Sequence, residues 1–253
     1  MLETLMEIFN LPPKARLQKR MSKSMFYRNA EFSKKEVKTF VDEIQVIQII
    51  AILNLDSLRV APFVNDDYSI SDIVYLLIEL KNSGQEEKVA RIIHAAIPHS
   101  LLIIFNHRQE IRFSTALKRL NKNNPTDVVL GDINSSPWMN PIYPLPVQKT
   151  FLDSLALETM PFDNLYRLYL ALDNRIYLTG VMDLIDTYPS PGVNVSEVQA
   201  MLDEIDELGK IIKNLKSIMT REKSFAQQME QHVQIQQLQQ QLDVLITQLR
   251  EVC

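Results

Sequence analysis

Glu79-Leu80-Lys81 closes the apolar run Ile70–Lys81. If that run is a strand, Glu79 and Lys81 share a face, because side chains alternate along an extended chain. A Glu-x-Lys pair with an upstream aspartate is the skeleton of many magnesium-dependent nucleases. Two carboxylates hold the metal and the lysine stands beside the attacking water. Asp66, Asp67 and Asp72 are the upstream carboxylates, and Gln85 or Glu86 could assist. The same three residues also describe an ordinary charged exit into the turn Asn82-Ser83-Gly84. Other chemistry is sparse. His94, His99, His107 and His232 show no metal-ligand spacing. There is no nucleophile elbow, no glycine-rich loop for ATP, and the single cysteine is Cys253. No metal site or cofactor is expected, magnesium entering only with the nuclease reading.

A second constellation is basic. Lys14, Arg16, Lys19, Arg20, Lys23, Arg28, Lys34, Lys35 and Lys38 are opposed only by Glu31 and Glu36, a local +7 in a chain whose net charge is -4. Phe26 and Tyr27 lie in its middle. Lysine and arginine neutralise phosphates and aromatic rings stack on bases, so contact with DNA or RNA is one expectation. The competing one is a solvated arm with Phe26 and Tyr27 packed in the core. Arg108, Arg112, Lys118, Arg119 and Lys122 form a second basic group, which would extend the patch if the fold brought the two together.

The third constellation makes contacts rather than chemistry. From Ser196 to Cys253 there is no proline and one glycine. Ile205, Leu208, Ile212, Leu215 and Met219 step by three and four, as do Ile235, Leu238, Leu242, Leu245, Leu249 and Val252. That is coiled-coil spacing, and such a stripe needs a second surface. The two registers disagree, which predicts a bend near Thr220–Ser224. Either the stripes hold a partner chain, or 196–219 folds back on 225–252 as a hairpin. Ser196 is the expected N-cap.

These groups need a scaffold. The chain has 253 residues, 46% of them hydrophobic, and five glycines. That suits a folded domain with a helical appendage and disfavours a glycine-rich β fold. No signal peptide is legible, and apolar runs such as Val46–Leu53 fall short of the ~20 residues needed to cross a bilayer, so a cytoplasmic protein without membrane contact is expected. Periodicity predicts a helix over Met1–Asn10, strands over Phe40–Leu53 and Ile70–Lys81, and a short extended piece over Leu58–Val64. A helix over Gln85–Ile97 follows, then a hairpin of Leu101–Phe105 with Glu110–Leu117, and a further strand at Asp127–Leu130. Pro137, Pro141, Pro144 and Pro146 predict a stiff linker before helical Thr150–Asp186. The expected class is α+β: a mixed α/β sheet domain with a basic N-terminal arm (1–140), a proline-rich linker and helical segment (141–192), and a C-terminal coiled-coil tail (193–253).

Lys23-Ser24-Met25-Phe26-Tyr27, the middle Ile97-Pro98-His99-Ser100 with Thr115-Ala116-Leu117-Lys118-Arg119, and Glu222-Lys223-Ser224-Phe225 before a coil resemble the motifs of a bacterial family of unknown function. Its members are of about this length, with a basic Lys-x-x-Phe-Tyr signature near the N-terminus and a C-terminal coiled coil. They are commonly encoded beside helicases and methyltransferases of type III-like restriction or phage-defence loci. The resemblance implies a non-catalytic accessory or adaptor subunit, with a helicase or methyltransferase subunit, a second copy of itself, or both as partner. The alternatives are the magnesium-dependent nuclease and a purely structural coiled-coil homodimer.

Overall fold

A computed structural model describes residues 1–24, 32–122 and 124–253, with the backbone alone for 124–127. Two compact units result, Met1–Thr179 and Gly180–Cys253.

The first unit is built on a six-stranded sheet. Helix α1 (Leu2–Phe9) buries Leu5 and Phe9 and ends at Asn10 in the left-handed region. Strand β1 (Arg16–Met21) follows, where the sequence suggested a loose arm. It pairs antiparallel with β2 (Ile44–Asn54) and forms one edge of the sheet, which explains its charge: edge strands carry lysine and arginine to block unwanted pairing. Between them lies α2 (Lys34–Glu43). The expected strand start at Phe40 is therefore displaced to Ile44. The cause is local: Ser33 and Glu36 form a capping box that nucleates a helix running through Phe40. Hydrogen bonds from the Ser33 hydroxyl and backbone N–H to the Glu36 carboxylate hold that carboxyl below its usual range.

The expected extended piece at Leu58–Val64 is likewise partly helical. Asn54 and Ser57 cap a single turn, α3 (Leu55–Leu58), before the two-residue strands β3 (Phe63–Val64) and β4 (Ser69–Ile70). Strand β5 (Asp72–Leu80) pairs antiparallel with β2 and parallel with β6 (Ser100–His107). The parallel pair needs a crossover, and α4 (Glu86–Ala96) supplies it. Strands β7 (Glu110–Asn121) and β8 (Asn124–Ser135) complete an order of β1-β2-β5-β6-β7-β8.

Helices cover both faces. On one, Phe40 from α2 and Val89, Ala90, Ile92 and Ile93 from α4 meet Ile44, Ile47, Leu76, Ile78, Leu101, Ile103 and Phe105. On the other, Phe9 packs edge-on against Tyr75 and Phe113, with ring centroids 5.0 and 6.1 Å apart, and Phe113 meets Phe151 of α5 (Pro146–Ser154). Helix α6 (Leu165–Tyr177) lies on β5, β7 and β8 and buries Leu165, Leu168, Tyr169, Leu172 and Ile176. The expected proline linker is tied to the sheet through an Ile111–Met139 bridge, and the helices up to Thr179 belong with the sheet unit.

In the second unit, α7 (Met182–Ile185) precedes α8 (Val195–Met219) and α9 (Phe225–Val252). The N-cap of α8 is Asn194, whose side chain accepts from the Glu197 N–H; the expected cap, Ser196, lies inside the helix. The predicted break near Thr220–Ser224 is present, and α8 and α9 pack on one another. Among the described residues, no helix is long and apolar enough to cross a membrane. The architecture is thus mixed α/β, a mixed sheet followed by C-terminal helices.

Candidate functional site

The nuclease residues fall at opposite ends of one strand. Asp72 opens β5 and Glu79 lies seven residues on, about 23 Å away along an extended chain. Asp66 and Asp67 sit in the β3–β4 turn at the Asp72 end. There the Asp67 carbonyl accepts from the Leu120 N–H at 2.8 Å, and its carboxylate lies 3.5 Å from Lys122. Lys81, just past the Glu79 end, donates from Nζ to the Val41 carbonyl at 3.0 Å. The fold does not bring Glu79 and Lys81 together with any of the three aspartates. Among the described residues no group of three or more His, Cys, Asp or Glu side chains could hold a metal.

Lys23 shares the task of Lys81. Its Nζ donates to the carbonyls of Val41 and Ile44, so two ammonium groups meet the carbonyl end of α2, where the helix dipole favours cations. Partial burial and the neighbouring Lys81 charge lower the Lys23 pKa, with Asp42 opposing them.

The other predicted nucleic-acid contacts divide into exposed and spent. Lys14, Lys19 and Arg20 are exposed at or beside the β1 edge and have no ion-pair partner among the described residues. Arg16, also exposed, donates from Nε to the Leu11 carbonyl at 2.8 Å. Phe26, Tyr27 and Arg28 lie outside the described residues. Arg112 is engaged with Glu86 and Glu87 at 4.0 and 3.5 Å. Arg119 donates from Nε to the Tyr68 hydroxyl at 3.2 Å, next to the stacked rings of Phe63 and Tyr166. Strand β7, which carries Arg112, Lys118 and Arg119, is four places from β1 in the sheet, about 19 Å, so the two basic groups do not merge.

Lys118 is the furthest from its expected role, being 8% exposed. Its Nζ donates to the carbonyls of Ile97 and His99 at 2.5 and 2.6 Å and so fixes the loop that follows α4. Burial lowers its pKa to about 7. That loop carries His99, whose Nδ1 lies 2.7 Å from Asp72 Oδ1. Ser71 Oγ donates to the other carboxylate oxygen at 2.9 Å. The ion pair raises the His99 pKa; for Asp72, burial pushes upward, but the histidine and Ser71 outweigh it and the pKa is lowered. Beneath the loop, His94 is fully buried on α4, 3.4 Å from Ser114 Oγ. Sequence patterns missed the Asp72–His99 pair because it exists only through the β5–β6 pairing, which sets Ile73 opposite Ser100. Lys118 carried no visible signal, since it falls in the same phase of β7 as Arg112 and Ser114.

In the second unit, Ile205, Ile212, Ile235 and Leu249 are buried, while Leu208, Leu215, Leu238, Leu242 and Leu245 are half-buried. These stripes belong to two helices that pack on each other, the hairpin alternative. Ile211, Ile218, Phe225, Met229, Val233 and Val244 remain exposed.

The comparisons add one relationship. No curated protein and no solved structure matches the chain. A family model does, over residues 9–242, and its description is a domain of unknown function. With nearly the whole sheet unit, all of α8 and most of α9 inside that match, the chain belongs to the DUF4391 family.

Proposed function

We propose that the chain is a non-catalytic accessory subunit of bacterial DNA-processing machinery of the restriction or phage-defence kind, which touches nucleic acid through the β1 edge. The observation that carries this reading is the row of exposed cations with no ion-pair partner among the described residues, Lys14, Lys19 and Arg20, on and beside an edge strand. Lys34, Lys35 and Lys38 on α2 are exposed as well. Phosphates are the natural partners of such a row, since releasing their counterions drives association. The dispersal of Glu79, Lys81 and the three aspartates favours binding over cleavage. Coiled-coil pairing with a helicase or methyltransferase subunit, or with a second copy, is the further role of the terminal helices. Its support is the six large apolar side chains left exposed on α8 and α9.

The test is fluorescence anisotropy of labelled duplex DNA and RNA across a salt series. Lys19→Glu with Arg20→Glu is expected to weaken binding about tenfold at low salt and to reduce the slope of log affinity against log salt by about 2. An unchanged affinity and slope, or no binding by the wild-type chain, would refute the nucleic-acid role.

A further inference from the structure

On the α4 side of the sheet, Ile49, Val74, Leu76, Ala96 and Ile97 help line an apolar pocket of about 440 Å³. This volume is within the range of small-molecule sites. The charged side chains in its lining, among the described residues, are Asp72 and His99. The imidazole stands half exposed beside Asp72. Its Nδ1 faces the Asp72 carboxylate at 2.7 Å, and Lys118 holds its backbone carbonyl from behind at 2.6 Å. Ser71 occupies the second Asp72 oxygen. His99 Nε2 is left without a protein hydrogen-bond partner among the described residues. An apolar chamber with one oriented, unused hydrogen-bonding group at its lip has the composition of a ligand site rather than of a packing defect.

The local charge selects the ligand. The charged groups facing His99 are Asp72 and Lys118, so a protonated imidazole gives two cations against one carboxylate. An anionic head would complete the balance, and an aliphatic body would fill the chamber. We propose that this pocket binds a small amphiphilic carboxylate, its chain among Ile49, Val74, Leu76 and Ile97 and its head accepting a hydrogen bond from His99 Nε2–H. The site is independent of the β1 edge and stands or falls without the nucleic-acid reading.

Isothermal titration of the full chain with decanoate, decanol and decylamine, each below its micellar concentration, tests it. Near pH 6, decanoate is expected to bind at least about tenfold more tightly than the alcohol or the amine. The preference should shrink as the pH rises past 7, because Lys118, with its pKa lowered to about 7, loses its charge there. His99→Gln should abolish the preference for decanoate while leaving decanol binding in place. Ala96→Phe, which fills the chamber from its rim, should abolish binding of all three; Val74→Phe serves if that variant misfolds. Equal affinity for the three compounds, decanoate binding indifferent to His99→Gln, or no binding at all would overturn the proposal.

Discussion

Tyr169→Phe is expected to lower the unfolding free energy by about 3 kcal/mol, a large share of a typical domain's stability. Its hydroxyl is fully buried and works inside the sheet. The β6–β7 ladder runs from His107↔Glu110 to Ile103↔Ser114. Continuing that register would set Leu101 opposite Ala116, but the Tyr169 oxygen stands between them. It accepts the Ala116 N–H at 3.2 Å, and its proton serves the Leu101 carbonyl at 2.8 Å or the Ala116 carbonyl at 3.0 Å. Phenylalanine would keep the ring packing and create almost no cavity. It would leave a buried N–H and a buried carbonyl without partners, each worth about 1–3 kcal/mol. Urea denaturation of both proteins measures the difference. A change below about 0.5 kcal/mol would mean that the strands close over the gap and the hydroxyl is dispensable. The same substitution reaches the pocket, since Leu101 follows His99 by two residues and Tyr169 anchors the start of β6.

How much of this was legible in the sequence depends on whether the cause was local. The segments that became β5, α4 and β6 read correctly because each has its own period and its own stop, Asn82-Ser83-Gly84 or Pro98. Gly84 even takes φ +102, a conformation few other residues adopt, and passes its N–H to Glu86 at the head of α4. The helix over Lys34–Glu43 was misread although its signal was present. Ser33 and Glu36 form a capping box, but the β-branched run after Ile44 masked it. Strand β1 had no signal to give. With only a sheet neighbour on one side, Arg16–Met21 remains mostly exposed and its composition resembles that of a solvated arm. The terminal stripes were legible as stripes, and their mismatched registers pointed to the turn at Thr220–Ser224. Partner choice was not legible, because a hairpin and a dimer ask the same spacing of each helix. The Asp72–His99 pair was beyond pattern reading altogether. Neither residue is unusual among its sequence neighbours, and only the pairing of β5 with β6 brings them together.

Acid should unfold the protein largely through His94. The side chain is fully exposed to the cost of burial, with its Nδ1 unpartnered, and burial together with the nearby Lys118 charge lowers its pKa from 6.5 to about 3. The folded chain therefore refuses a proton that the unfolded chain accepts. A histidine depressed in this way has no effect on stability above pH 6.5, and stability falls as the pH drops from there toward about 3. At pH 4 the loss due to His94 alone is about 3 kcal/mol. Asp72, with a lowered pKa, adds to the loss as it is protonated, whereas buried Asp173, with a raised one, works in the opposite sense. Comparing wild type with His94→Leu separates these contributions, because the carboxylates are common to both. Leucine keeps an apolar filling on α4 and cannot titrate. The difference in unfolding free energy between the two proteins should be nearly constant above neutral pH. It should shift by about 3 kcal/mol in favour of the variant by pH 4. Parallel curves for the two proteins over that range would show that His94 takes up its proton in the folded state. The interior beneath the Ile97–His99 loop would then have to open to water, and the placement of His99 on which the pocket's selectivity depends would fail with it.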